Sequence, residues 1–307
     1  MEEKDFKIGT RRSPLALAHA FETRSYLMSV HKIPLEKIFV VPLSTKGDRI
    51  TNRTLTEIGG KGLFTEEIER KLISGEIDFA VHSAKDMPTK LLQGLRISAY
   101  LPREDVRDVF ISHTAQSLND LSVNSIVGTS SLRRKALLLR WRADLSIIDF
   151  RGRIETRLTK LKNKQADAML LAYAGIKRLK KESVVKEILN LEDFPPSPGQ
   201  GAICIETHMN NTRAHELATA INHGETWDTV SCERAFLAEL DGSCKSAIAG
   251  FSYCKGQFLY FYGTILTPDG QFFHEVSKSG NRCDAIQIGR DAGQHIRLIA
   301  DKTIFNL

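Results

Sequence analysis

Short apolar runs of strand length alternate with longer stretches of helical period through the first two-thirds of the chain, and this alternation restricts the fold more than any other feature. Phe6–Thr10, Ile38–Leu43 and Ile77–His82 read as strands. Between the first two, Ser13 and Pro14 supply an N-cap and a first-turn proline for a helix running to about Val30. Gly62–Ser74 is expected to be helical, with Leu63, Ile68 and Leu72 near one face and Gly75 as its stop. A second series repeats the design: strand Ser125–Gly128, helix Ser131–Arg142, strand Leu145–Phe150, helix Arg153–Asn163, strand Ala168–Ala172. Strands that alternate with helices imply α/β architecture.

Two segments look like crossings between two such lobes. Pro102–Asp108 is charged and lies between the strand-like runs Ile97–Leu101 and Val109–Ser112, and Phe194–Gly199 is rich in proline. After the second crossing the chain is expected to return to the first lobe at Gly201–Glu206. The expected division is therefore residues 1–101 plus 200–220 as one α/β lobe, 105–196 as a second, and 223–307 as a small C-terminal α+β domain. In the last, a helix over Thr226–Leu240 leads through a loop at Asp241–Ser246 into Ile248–Tyr253, Phe258–Thr267 and Gln271–Val276, then a helix over Ala285–Asp301. Two lobes joined by two crossings predict a hinged, solute-binding-protein-like pair with a cleft at the carboxyl ends of the strands, where ligands of such sheets bind.

Arginines occupy three strand-to-helix junctions: Arg11 and Arg12, Arg133 and Arg134, and Arg151, Arg153 and Arg157. A helix N-terminus carries partial positive charge, so each cation there costs up to about 1 kcal/mol. Repetition of that cost points to a bound ligand with several negative groups, met by guanidinium forks and backbone N–H groups. Arg153 and Arg157 share a helix face at i,i+4, where like charges repel, which again asks for an external anion. The net charge of +6 and pI near 9.0 agree with an acidic ligand or nucleic acid. Aromatics are only 7% of residues and do not interleave with the arginines, which disfavours single-stranded nucleic acid as the partner. No apolar run reaches the roughly 20 residues of a membrane span, and the acidic start Met1–Asp5 has no apolar signal core, so a cytoplasmic protein is expected.

Asp86 follows the strand Ile77–His82 in the turn Ser83-Ala84-Lys85-Asp86-Met87-Pro88. Its carboxylate suits stabilisation of a cation or acid/base work, and equally an Asx-turn cap before proline. Thr129, Ser130 and Ser131 suit N-capping. Gly59-Gly60-Lys61-Gly62 lacks the ending of a P-loop and the third glycine of a dinucleotide turn. The five cysteines form no C-x-x-C pair, and the nine histidines form no H-E-x-x-H, so neither a disulfide framework nor a metal site is expected. Cys244 stands in a polar turn beside Lys245, where a lowered thiol pKa and attachment of a group are plausible, whereas Cys204 reads as core.

Several stretches together resemble the porphobilinogen deaminase (hydroxymethylbilane synthase) family along essentially the whole chain. They are Ile8–Arg11 with Ser13–Leu17, Gly59–Phe64, Val81–Pro88, Gly128–Arg134, Arg151-Gly152 with Thr156–Leu158, Gly199–Ala202 and Glu233–Leu237. The resemblance implies a monomeric cytoplasmic transferase of haem biosynthesis that acts on porphobilinogen without nucleic-acid or membrane partners. It implies condensation of four porphobilinogen units with loss of ammonia on a dipyrromethane primer, then hydrolytic release of hydroxymethylbilane. By position Cys244 matches the cysteine that holds the primer in thioether linkage, and Asp86 the catalytic aspartate, beside which a cationic azafulvene would be stabilised. Arg133 and Arg134, with Ser83, Lys85, Thr129 and Ser131, match cofactor-binding positions, and Asp86 also faces the cofactor there. Arg11, Ser13, Lys61, Arg151, Arg157, Arg178 and Gln200 match substrate-binding ones. The polyanion the arginines require is then the growing chain, since each unit carries an acetate and a propionate. Arg153, Glu155, Ser243 and Ala247 depart from the family pattern, which commonly has Asn, Gly, Gly and Pro there. None of these removes a group that the reaction uses.

Overall fold

The structure is a computed structural model that describes residues 5–45, 47, 65–240, 247–301 and 304. In chain order it contains β1 (Phe6–Arg11), α1 (Pro14–His31), β2 (Ile38–Leu43), α2 (Glu66–Ile73), β3 (Phe79–Ser83), β4 (Leu95–Tyr100), β5 (Asp108–Ser112) and β6 (Ile126–Gly128). There follow α3 (Leu132–Trp141), β7 (Ser146–Ile148), α4 (Ile154–Lys162), β8 (Ala168–Ala172), α5 (Tyr173–Arg178), β9 (Glu187–Ile188), β10 (Ile203–His208) and α6 (Thr212–Ala220). The chain ends with α7 (Gly224–Glu239), β11 (Ala247–Lys255), β12 (Phe258–Leu266), β13 (Phe273–Asn281) and α8 (Ala285–Ile299).

These elements divide into two compact units, one drawn from residues 1–50, 61–104 and 201–228, the other mainly from 105–200 and 229–307. The first is built on a five-stranded sheet of order β2-β1-β3-β10-β4. β1 runs parallel to β2 and β3, while β10 runs antiparallel to β3 and β4. One face packs Ile8, Phe79, Val81, Ile203 and Ile205 against Ala20 and Leu27 of α1 and Ala214 and Ala218 of α6. The other face packs Ala80 and Leu95 against Ile68 and Leu72 of α2. Alternation of side chains along each strand is what lets the sheet bury both faces, and each large apolar side chain so buried contributes roughly 1.5–3 kcal/mol. α1 starts as its sequence dictates: the Ser13 hydroxyl accepts the Ala16 N–H at 3.2 Å, with Pro14 in the first turn.

The second unit holds a five-stranded sheet of order β7-β6-β8-β5-β9 and an antiparallel sheet β11-β12-β13. β6 is parallel to β7 and β8, and β5 is antiparallel to β8 and β9. Phe110, Val127 and Leu170 meet Ala136 and Leu137 of α3 on one face. Ile111, Met169 and Leu171 share a core with Leu161 of α4 and Ile176 of α5 on the other. On the smaller sheet, Phe236 of α7 and Ala292 and Ile296 of α8 bury Ile248, Phe261 and Ile265. Ala247 and Leu266 reach from that sheet into the core around α3. Gly270, in the expected turn Pro268–Gly270, has φ +72°, and a Cβ there would strike the Ala136 carbonyl of α3. That turn therefore needs glycine for both conformation and space.

The α/β class, the two sheet-bearing lobes and the small C-terminal sheet with its helix agree with the sequence reading. Three elements escaped it. β9 has two residues and α5 six, too few for either period to register. α6, capped by Asn211 onto the Ala214 N–H at 3.1 Å, is short and alanine-rich, with few large apolar residues to mark its period. β13 starts at Phe273 and continues to Asn281, beyond the expected Val276. Its added residues are polar because one face is open to solvent, and pairing with β12 alone defines it. No helix among the described residues is long and apolar enough to cross a membrane.

Candidate functional site

In the first unit β1 and β3 point the same way, so their carboxyl ends share one edge of the sheet. Arg11 is the last residue of β1 and Ser13 caps α1 directly after it. At the end of β3, Ser83 leads into a single 3-10 turn, Ala84–Asp86. The turn is tied down at its start, where the Ala84 N–H donates to the Ala202 carbonyl at 3.0 Å, and it closes with the Met87 N–H on the Ala84 carbonyl at 3.2 Å. Lys85 is half-buried and Asp86 is exposed. The Asp86 carboxylate accepts no backbone N–H among the described residues, so the Asx-cap alternative has no bond to rest on. Lys61 with its glycine loop, and Cys244 with Ser243 and the loop 241–246, lie outside the described residues.

In the second unit the parallel strands β6, β7 and β8 end on one edge, and each is followed by a stretch containing candidate residues. After β6, the Thr129 N–H donates to the Ile148 carbonyl at 2.9 Å and the Thr129 hydroxyl accepts the Ser131 N–H at 3.2 Å. Ser131 then caps α3 by accepting the Arg134 N–H at 3.4 Å. After β7 come Arg151 and Arg157, with Arg157 Nε donating to the Gly152 carbonyl at 2.8 Å. Arg178 lies one short helix, α5, beyond the end of β8. Arg153 is the N-cap of α4, with extended backbone (φ −62°, ψ 163°). It therefore does not share a helical face with Arg157, contrary to expectation, and the pair gives no sign of an anion.

Arg133 and Arg134 are buried, at 4% and 6% exposure, around a carboxylate the sequence reading had assigned to a linker. Arg133 Nη2 lies 2.7 Å from Asp108 Oδ2. Arg134 grips both oxygens, Nε to Oδ2 at 3.1 Å and Nη2 to Oδ1 at 2.8 Å. Their remaining bonds go to carbonyls, Arg133 Nη1 to Pro195 at 2.7 Å and Arg134 Nη1 to Leu170 at 3.1 Å. Burial alone would raise the Asp108 carboxyl, but the charges and hydrogen bonds of the two arginines outweigh it and hold it far below the usual carboxylate range. Of the five N–H groups on each guanidinium, these contacts engage two on Arg133 and three on Arg134. Arg133 Nε is buried with no partner among the described residues.

Gln200 completes this cluster, its Nε2 donating to the Val106 carbonyl at 2.7 Å and to Asp108 Oδ1 at 2.8 Å. Both amide hydrogens are engaged in these two bonds, so Gln200 supports Asp108. The next residue, Gly201, has φ +88°, and a Cβ there would meet the Glu104 carbonyl. Asp108 was missed because Asp-Val-Phe-Ile-Ser reads as a loop residue before a strand, yet its pairing opposite Ala172 puts it at the functional edge of the sheet. Glu233 was quoted only as part of a motif. It is fully buried and accepts the Gly199 N–H at 2.7 Å and the Ser252 N–H at 2.7 Å, binding the proline-rich segment and β11 to α7. No group of three or more His, Cys, Asp or Glu residues able to hold a metal occurs among the described residues.

Residues 6–216 match the family model described as porphobilinogen deaminase, dipyromethane cofactor binding domain, and residues 227–297 match porphobilinogen deaminase, C-terminal domain. The chain is 48% identical over 300 residues to a curated porphobilinogen deaminase of Nitrobacter winogradskyi, covering 98% of this chain and 95% of that protein. Among solved structures, the ligand-binding component of an ABC-type import system from Staphylococcus aureus is similar at 13% identity and TM-score 0.42, over 78% of this chain and 76% of that one. An arginine-specific periplasmic binding protein of Salmonella typhimurium is similar at 13% identity and TM-score 0.43, over 71% and 92%.

Proposed function

The chain belongs to the porphobilinogen deaminase family, and from that premise we propose which of its own residues carry the reaction. It is a transferase of tetrapyrrole biosynthesis that condenses four porphobilinogen molecules head to tail, with loss of ammonia, on a covalent dipyrromethane primer and releases hydroxymethylbilane by hydrolysis. The bound primer supplies the pyrrole carbon at which the chain lengthens. In our reading residues 223–307 form the domain that presents it through Cys244. Arg133 and Arg134 hold its carboxylates, and Ser83, Lys85, Thr129 and Ser131 add hydrogen bonds. The buried, unmatched Nε of Arg133 fits such an anion, because a donor left without a partner in the interior costs about 1–3 kcal/mol.

Asp86 is the catalytic residue in this assignment. An exposed carboxylate with no competing bond among the described residues is available to stabilise the positive charge that develops as ammonia leaves. Arg11, Lys61, Arg151, Arg157 and Arg178, with the Ser13 hydroxyl, hold the acetate and propionate groups of incoming and added units, while Gln200 acts through Asp108. The enzyme works as a cytoplasmic monomer without a nucleic-acid or membrane partner. One observation carries the assignment. Most of the described candidates that match the family's motifs stand at the carboxyl ends of parallel strands, in each unit separately.

Intact mass tests it. Purified protein should exceed the mass of its 34.4 kDa chain by one dipyrromethane group, and Cys244→Ser should show the bare mass and no activity. Unmodified protein with full activity overturns the attachment, and an adduct that survives Cys244→Ser moves it to another cysteine.

A further inference from the structure

The outer face of the C-terminal sheet carries a set of aromatic rings that the reaction assigned above does not use. Ile248, Phe261 and Ile265 point inward to α7 and α8, so the residues that alternate with them point outward. Strand pairing sets these in rows, Phe251–Tyr262–Ser277 and Tyr253–Tyr260–Ser279. Tyr253 and Tyr260 stack across the strands with centroids 5.2 Å apart and planes 12° apart. Phe251 continues the stack onto Tyr253 at 6.3 Å and 23°. Each row falls from rings on β11 and β12 to a serine on β13, which leaves a trough beside Tyr260 and Tyr262. Arg140 of α3 and Glu192, in the stretch after β9, wall it in, and the cavity so formed has a volume of about 590 Å³. Sites for small molecules run from roughly 300 to 1,000 Å³ and are lined mainly by apolar and aromatic groups with a few polar ones. Tyr253 and Tyr260 remain 42% and 36% exposed.

The charged groups around the rings divide by place. At one end of the trough Glu275 is already engaged, since it accepts Arg140 Nη1 at 3.2 Å and the Tyr262 hydroxyl. Burial first, and the bond to Glu275 second, push the Tyr262 phenol above its ordinary value, so it stays a neutral part of the wall. At the other end Lys255 Nζ lies 5.5 Å from the Tyr253 centroid and 5.9 Å from that of Tyr260. Lys278 borders the cavity between Ser277 and Ser279. Neither lysine has an ion pair among the described residues, and the exposed carboxylate of Glu192 has no partner among them.

We propose that this trough binds one nucleotide, a nucleoside monophosphate whose base stacks on Tyr260, whose ribose hydroxyls donate to Glu192 and whose phosphate meets Lys255 and Lys278. Each part of that ligand answers a group on the protein. A flat ring extends a stack that strand pairing has already set in parallel. A carboxylate accepts from both hydroxyls of a vicinal diol, as an acidic residue does for the ribose of a dinucleotide. Two ammonium groups left without an anion complement a phosphate. Ring and cation meet here only through the pairing of β11, β12 and β13, so a sequence whose aromatics do not interleave with its arginines gives no sign of the site. None of these residues is assigned to the reaction, and the site stands whether or not that assignment does.

Calorimetric titration of the holoenzyme with adenosine 5′-monophosphate should show one saturable site. Adenosine, which lacks the phosphate, and ribose 5-phosphate, which lacks the base, should each bind about tenfold or more weakly. Tyr260→Ala should weaken the nucleotide by roughly 5- to 150-fold, whereas Tyr260→Phe, which keeps the stacking face, should change it by less than about twofold. Lys255→Gln and Glu192→Ala should each cost about tenfold, and all four variants should keep wild-type activity. No saturable heat up to about 10 mM nucleotide overturns the site. So does equal affinity in wild type and a folded Tyr260→Ala; should that variant not fold, unchanged affinity in both Lys255→Gln and Glu192→Ala has the same force. Displacement of the nucleotide by porphobilinogen would place it on the substrate-binding arginines and overturn the site as well. A six-residue oligoadenylate should bind no tighter than the monophosphate, and a gain of more than about tenfold overturns the single-nucleotide reading in favour of a strand.

Discussion

At the edge of the second unit Arg133 and Arg134 close on a buried Asp108, whereas at the edge of the first Asp86 stands exposed with no bond to a described neighbour. The contrast separates two ways of preparing a charge for a ligand. The arginines are held by a counter-charge that shares in their desolvation and leaves selected N–H groups available, so their forks are set before any anion arrives. Asp86 is held only through the backbone of its turn, and its carboxylate keeps its full capacity for a developing cation. Under the proposed assignment, one edge serves lasting attachment of the primer and the other a charge that appears and disappears in each cycle.

Asp108→Asn strikes this comparison hardest. It leaves two buried guanidinium groups without their anion and should cost roughly 3–5 kcal/mol of stability, read from denaturant unfolding. Because the folded-state pKa of Asp108 is depressed, its contribution is fully present above the unfolded value of about 3.9 and fades as pH falls below it. The variant's unfolding free energy should therefore fall less steeply than wild type below about pH 4. A variant as stable as wild type would mean that Asp108 does not hold the arginines.

Asp86→Asn should do the reverse, lowering kcat by about a hundred- to a thousandfold while thermal unfolding stays put. Retention of more than a tenth of the activity would return Asp86 to a passive place in the turn. Next in size are Arg11→Leu, at the end of β1, and Arg157→Leu, in the helix after β7. Each should lose about 1.5–3 kcal/mol of substrate stabilisation, visible as intermediates with one to three added units in the mass spectrum. Arg12→Leu, at an exposed residue outside the family pattern, should change stability and rate by less than about 0.5 kcal/mol. A uniform response from all three arginines would indicate a diffuse field in place of separate carboxylate sites.

Much of this arrangement was legible in the residues. Ser13-Pro14 and Ser131 announced their helices, and the arginine junctions marked the ends of β1, β6 and β7. The pairing of Arg153 with Arg157 misled, because an N-cap and a first-turn residue look alike in sequence and differ only in backbone angle. Asp108 and Glu206 were illegible for another reason. Their partners are 25 and 124 positions away, in Arg133 and His82, and only the sheets bring them together.

The order of local preferences along the chain therefore determined the α/β class, the places where strands give way to helices, and the family to which the chain belongs. Those depend on caps, periodicity and short motifs, whose physics acts within a few residues. Tertiary structure alone decided which charges are buried and with whom. The antiparallel return of β5 beside β8 places Asp108 under two arginines, and that of β10 beside β3 places Glu206 against His82. Desolvation makes such pairings strong, and desolvation is a property of the packed interior that no neighbour in sequence can supply.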